Sequence, residues 1–250
     1  MQRVLAAALT LLVLVAAPAA AQIPDEFTNL QVLPEDISRR SLIATMRGFA
    51  GGLGVRCTHC HVGENAATLE GFDFASDEKE TKQVARVMLR MVQDINQRHL
   101  PETGREDRLR VTCVTCHRRL TKPQSLRDKL ADVFSEEGIE AATAAYTELR
   151  AEHFGDGSYN FSPSTLASLA ERLVGQGEIE AALAFLDLNI ELYPDNVFSF
   201  WVQYQARTEQ GQHAEAVKSL ERALELEPGS EFFQQALAEA EQRAESAGTP

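Results

Sequence analysis

The chain has 250 residues, enough for one large domain or two small ones. A formal net charge of -13 argues against nucleic acid as a partner, because phosphate backbones are bound by basic surfaces. Ala, Leu, Glu, Gln and Arg dominate outside a few short motifs, which predicts an all-helical protein.

Residues 1–21 read as an export signal. Arg3 supplies a charged start, Val4 to Ala17 an apolar stretch, and Ala19-Ala20-Ala21 a cleavage site before Gln22. The alternative is a membrane anchor, but the apolar core is short for a span and Pro18 with small residues follows it. No Cys follows the cleavage site, so no lipid anchor is indicated. The expected location of the mature chain is the periplasm.

From Glu35 to Phe49, apolar residues at Ile37, Leu42, Ile43, Met46 and Phe49 predict a helix with Pro34 in its first turn. Gly48, Gly51, Gly52 and Gly54 are expected to break it. Next comes Cys57-Thr58-His59-Cys60-His61. A second helix is expected from Asp77-Glu78-Lys79-Glu80 to about His99, capped by Ser76 or Asp77 and ended by Pro101 and Gly104. It carries Met88 and Met91. A charged loop from Glu102 to Arg110 then leads into Cys113-Val114-Thr115-Cys116-His117.

Cys-x-x-Cys-His is the attachment signature of a c-type haem. Two thiols three residues apart sit on one turn of backbone, each able to form a thioether to a haem vinyl group. The adjoining His supplies an imidazole nitrogen to iron. Cys57, Cys60, Cys113 and Cys116 are thus candidate attachment residues for two covalent haems, and His61 and His117 candidate iron ligands. An all-thiolate zinc site would use the same four cysteines but does not require the histidines. Each motif follows a Met-bearing helix, so Met46 is a candidate for the opposite face of the first iron, and Met88 or Met91 for the second. Met/His ligation raises the haem potential, although a Met on an apolar face also serves as core filler. His99 offers bis-His ligation, or simply a favourable charge at a helix end. Arg110, Arg118 and Arg119 form a basic cluster suited either to haem propionates or to a docking partner.

The strings Met46-Arg-Gly-Phe, Leu53-Gly-Val-Arg-Cys-Thr-His-Cys-His61, Ala85-Arg-Val-Met88-Leu-Arg-Met-Val with Asn96, and Val111-Thr-Cys-Val-Thr-Cys-His-Arg118 resemble the cytochrome c subunit of photosynthetic reaction centres. That family holds four haems in helix–turn–helix segments, mostly with an axial Met on the first helix. The resemblance spans roughly residues 35 to 120. It implies Met46 as sixth ligand of the first haem, and its frame places Met88, not Met91, at the second. Only two motifs are present here, and Arg119 stands where the family usually has Gly. The chain looks more like the short dihaem relatives joined to repeat domains.

After Pro123 a period of 34 emerges: Gly177 and Gly211, Pro194 and Pro228, Ala182 and Ala216, Leu186 and Leu220, Leu166 and Phe200. This is the tetratricopeptide pattern of paired amphipathic helices. Units are expected at about Pro163 to Asn196 and Val197 to Ser230. A degenerate unit covers Ser125 to Phe154, and a capping helix Ser230 to Ser246. Phe198 and Trp201 sit where such arrays line their groove, or pack within it, and His153 and His213 read as surface residues. The domains are therefore residues 1–21 signal, 22–122 dihaem cytochrome, and 123–250 repeats. The function expected is single-electron transfer to and from a redox partner protein, with the repeats docking a protein partner. The alternative is a peroxidase-like enzyme or sensor in which one haem keeps an open coordination site.

Overall fold

The computed structural model describes residues 23–24, 26–65, 67–69, 71–104 and 109–247. The export signal read over 1–21 lies outside the described residues. Among these residues the regular structure is helical, with one isolated antiparallel bridge between Val62 and Asp73. No helix among them is long and apolar enough to cross a membrane. The chain divides into two compact units, Met1–Cys113 and Val114–Pro250, a boundary that runs through the second Cys-x-x-Cys-His.

In the first unit, helix α1 spans Arg39–Leu53, beginning and ending about four residues later than the apolar pattern predicts. Ser38 is extended and its side chain accepts the Ser41 N–H, so the cap, not Pro34, sets the start. Gly48, Gly51 and Gly52 do not break the helix. Glycine in a helix interior costs only about 1 kcal/mol, and the stop comes at Gly54, which is left-handed at φ 68°.

Helix α2 spans Glu80–Asp94 and starts three residues after the expected Asp77. Asp77 is not a cap. Its carboxylate instead receives the Arg86 guanidinium at 2.8 Å, the Asn29 amide at 2.9 Å and the Lys82 ammonium at 3.2 Å. The helix then widens into a π-helical turn, Ile95–His99, before a last turn α3, Leu100–Glu102.

One face of α2 is tied to the chain before α1: Arg86 and Gln93 donate to the carbonyls of Asn29 and Val32. At 3.6 residues per turn, Val84, Val87, Met88 and Met91 share the opposite face. They remain 51, 57, 36 and 46 % exposed.

A short helix α4, Cys113–His117, carries the second motif. The second unit continues with α5 (Leu126–Glu137), α6 (Ile139–His153), α7 (Pro163–Gly175), α8 (Ile179–Leu192), α9 (Val197–Glu209), α10 (His213–Leu226) and α11 (Glu231–Ala247). The helices fall in the expected tetratricopeptide units. Leu166, Ala182, Leu186, Phe200, Ala216 and Leu220, the residues that repeat every 34, are all buried.

The α7–α8 and α9–α10 turns are built alike. Gly177 and Gly211 take left-handed φ values of 83° and 72°. The next residues, Glu178 and Gln212, each donate to the carbonyl five positions back, at Leu173 and Arg207. That is the glycine-dependent helix stop that lets two helices pack antiparallel across a short turn.

Phe198 and Trp201 are packed into the array. Phe198 contributes to one apolar cluster, while Trp201 joins two and stacks near Tyr204, Phe232 and Phe233. The capping helix α11 supplies both phenylalanines, which a groove-lining reading of Trp201 overlooks. His153 is also not a bare surface residue: it bonds Asp156 at 3.1 Å and meets the Tyr159 ring edge-on.

Asn189 on α8 is fully buried and donates to the Pro163 carbonyl at 2.9 Å and the Ser199 hydroxyl at 2.7 Å, joining α7, α8 and α9. Replacing it strands two buried acceptors. Asn189→Ala is expected to cost about 2 kcal/mol in urea denaturation, with an unchanged slope against denaturant. A loss below about 0.5 kcal/mol would show that the network contributes nothing.

Candidate functional site

The first motif is a turn held from outside. After Gly54 the chain enters a 3-10 turn, Cys57–His59, and the N–H groups of Cys60 and His61 both reach back to the Cys57 carbonyl at 3.2 and 3.0 Å. Cys57, Cys60 and His61 therefore share one turn. The N-terminal end of α2 supplies the remaining partners. Thr81 donates its hydroxyl to the His59 carbonyl at 2.5 Å, and Lys79 donates its ammonium to the Thr58 carbonyl. Lys82 donates to the carbonyls of Phe74, Ala75 and Ser76, fixing the segment that returns to α2.

The His61 ring meets Phe74 edge-on at 5.2 Å, and Phe72 lies beside Phe74. Gly63 is required here, since a Cβ at that position would fall 2.3 Å from the Phe72 ring. Burial, followed by the charge of Lys82, pushes the His61 imidazolium below its ordinary pKa and keeps the ring neutral. The Phe74 main chain offsets part of this, although no hydrogen bond of proper geometry reaches the buried Nδ1. Burial pushes the Cys60 thiol up, with Thr81 and Lys79 acting in the opposite direction.

The second motif is a short helix instead of a 3-10 turn. His117 Nδ1 lies 2.9 Å from the Leu120 carbonyl. A carbonyl only accepts, so Nδ1 carries the proton, and in the neutral ring the lone pair is then on Nε2. The helix ends abruptly: Leu120 N–H returns to the His117 carbonyl at 2.8 Å, and Arg118 and Arg119 both take positive φ, 50° and 69°. Cys116 is exposed and Cys113 half-buried, and no disulfide joins the four cysteines.

Among the described residues no three His, Cys, Asp or Glu side chains are gathered into a metal-holding group. Met46 is half-buried on α1, and Met88 and Met91 lie in the exposed apolar stripe of α2. His99 is exposed and lies 3.3 Å from Asp94.

The family model described as "Photosynthetic reaction centre cytochrome C subunit" matches residues 12–158, more than half of the chain. The chain belongs to this family. Cytochrome c-554 of Chloroflexus aurantiacus is 36% identical over 89 residues, covering 36% of this chain and 20% of that protein. The chain thus spans about a fifth of the length of that relative.

Among solved structures it is similar to the first tetratricopeptide domain of Spaghetti (RPAP3) bound to an HSP90 peptide, at 22% identity. That match covers 47% of this chain and 88% of the other, with a TM-score of 0.33. The second such domain of human RPAP3, in complex with an HSP70 peptide, matches at 24% identity over 46% and 92%, also with a TM-score of 0.33.

A c-type cytochrome family implies covalently bound haem. The residues present fit the group. Each motif places two thiols and a histidine on one turn. The Nδ1–H bond of His117 is what iron-ligating imidazoles use to fix tautomer and orientation. The stripe of Val84, Val87, Met88 and Met91 is an apolar wall suited to a macrocycle.

The residues that sequence reasoning passed over are those that hold the motifs. Thr81 and Lys79 act on backbone carbonyls, and Asp77, one of two candidate caps on sequence alone, is an ion-pair hub. Their one legible signal was the dense polar run at 76–83. Arg110, Arg118 and Arg119 are exposed.

Two outcomes follow from this geometry. Arg86 above all, with Asn29 and Lys82, holds the Asp77 carboxyl well below the usual carboxylate range. The stability it contributes is present above about pH 4 and is lost as pH falls toward the lower folded-state value. Urea midpoints measured from about pH 6 down to about pH 3 should fall in the parent and fall less in Asp77→Asn. Separately, Arg119→Gly should raise stability by about 1 kcal/mol, because Gly adopts φ 69° without strain. Unchanged thermal unfolding would mean that Arg119 makes an offsetting contact.

Proposed function

We propose that the protein is an exported, periplasmic dihaem c-type cytochrome that transfers single electrons and uses its repeat half to dock a protein partner. Residues 1–21 are the export signal, 22–122 carry both haems, and 123–250 form the repeat domain. The functional division lies after the second motif, since Cys113 to His117 act as one attachment unit. Cys57 and Cys60 hold the first haem and Cys113 and Cys116 the second. His61 and His117 would each supply an imidazole nitrogen to iron, and Met46 and Met88 the thioether that completes each ligand pair.

A bound haem supplies the one-electron iron couple. The chain's own residues hold the thiols and imidazoles in place, keep His61 neutral, and present Met thioethers on α1 and α2. Filled axial positions suit a carrier, because reorganisation is small and small molecules are excluded. What carries the reading is the His117 contact: an imidazole beside two thiols, its Nδ1–H engaged and its Nε2 free to bind a metal.

The test is made on protein matured with export and haem-attachment machinery. Intact mass should show two added haems, falling to one in Cys57→Ser/Cys60→Ser and to one in Cys113→Ser/Cys116→Ser. The reduced absorption spectrum should ignore carbon monoxide. A Soret shift with the gas would instead mean an exchangeable site and favour a haem enzyme or sensor. An unmodified mass would sink the dihaem assignment.

A further inference from the structure

Asn96 lies in the π-helical turn Ile95–His99, where the hydrogen-bond ladder of α2 lengthens and Leu100 N–H reaches Ile95 five residues back. Such turns inside α-helices are uncommon and concentrate at functional positions. Here the turn carries a side chain whose bonding capacity is directed at one distant residue. The Asn96 carboxamide donates to the Val111 carbonyl at 2.7 Å and accepts the Val111 N–H at 2.8 Å. Its second N–H goes to the Val92 carbonyl, one turn back on its own helix, at 2.8 Å.

Both donors and the acceptor of the amide are thus used, and the side chain reproduces the paired bonds that one extended strand residue would offer another. No other residue type does this equally. Asp lacks the donors, Gln is a methylene longer, and Leu has the shape without the polarity.

Val111 stands two residues before Cys113. The intervening chain, from α3 through the charged loop, is long enough to deliver Cys113 to many positions. The Asn96–Val111 pair selects one of them, on the end of the helix that bears Met88 and Met91. We propose that Asn96 is a positioning residue for the second haem: it fixes the segment that leads into Cys113 against the π-helical turn. The first motif has its own holders in Thr81 and Lys79, so Asn96 fills the corresponding role at the second by a different bond. This rests on the dihaem reading, and the experiment separates the two.

The variants are Asn96→Leu and Asn96→Asp in the full-length matured protein, the second retaining size and polarity in case the first folds poorly. Hydrogen exchange of the Val111 amide, which needs no haem signal, should accelerate about tenfold or more in Asn96→Leu, the loss expected for one buried hydrogen bond. In both variants the second haem should show a shifted potential and an altered absorption band, or incomplete attachment at Cys113 and Cys116. The first haem should keep its potential and full attachment.

Faster exchange with the second haem unchanged in potential, spectrum and attachment would make Asn96 merely structural and overturn the proposal. Unchanged exchange at Val111 would overturn it too, since the bonds would not be formed in solution. Equal shifts at both haems would overturn the specificity claimed for the second. If the parent protein itself carries no haem at Cys113 and Cys116, the dihaem reading fails first and takes this proposal with it; a parent with two haems and silent variants sinks this proposal alone.

Discussion

A Cys-x-x-Cys-His turn is too short to satisfy its own backbone. Two of its N–H groups fold back onto the first cysteine's carbonyl, and the carbonyls between the cysteines are left pointing outward. Half-buried carbonyls need donors, and the first unit is arranged around providing them. Thr81 and Lys79 reach the first turn from the start of α2, and Lys82 gathers three more carbonyls from the returning segment. Arg86 and Asp77 then tie that helix to the chain preceding α1. The polar face of α2 is the scaffold of the unit.

The same division of labour explains why the first unit buries so little. Among its described residues only Leu42, Gly52 and Arg86 are fully buried, and its longest apolar stripe lies open on α2. Burying a large aliphatic side chain is worth about 1.5–3 kcal/mol, so an exposed stripe of valines and methionines makes sense as a wall for an apolar group. In the second unit the apolar residues face one another instead, and the helices stack on Leu, Ala and Phe.

The two histidines are held differently although their motifs read alike. His117 gives its Nδ1 proton to a carbonyl three residues on, within a turn that forces two arginines into left-handed backbone. His61 has no such local acceptor and is oriented by burial against Phe74 beside Lys82. Histidines in motifs that read alike can therefore be held by quite different surroundings.

Much was determined by sequence alone. The motif that suggests covalent attachment lies in residues one to three apart, and the repeat period lies in glycine, alanine and leucine positions that depend on local helix geometry. Short-range patterns of this kind survive in a linear reading. The ends of α1 and α2 did not: Ser38, Pro34 and the interior glycines all carry local start or stop signals that only the fold ranks, and Asp77 is drawn from capping into an ion-pair hub by Arg86 and the distant Asn29. For Trp201 the choice between groove lining and packing within the array likewise fell to tertiary structure, because the phenylalanines that pack against it come from α11. Asn96 is the clearest case. Its partner lies fifteen residues away across a charged loop, and only the folded chain brings the amide and Val111 within hydrogen-bonding distance. Periodicity and motif spacing record local geometry; which polar groups meet across a loop is decided by packing.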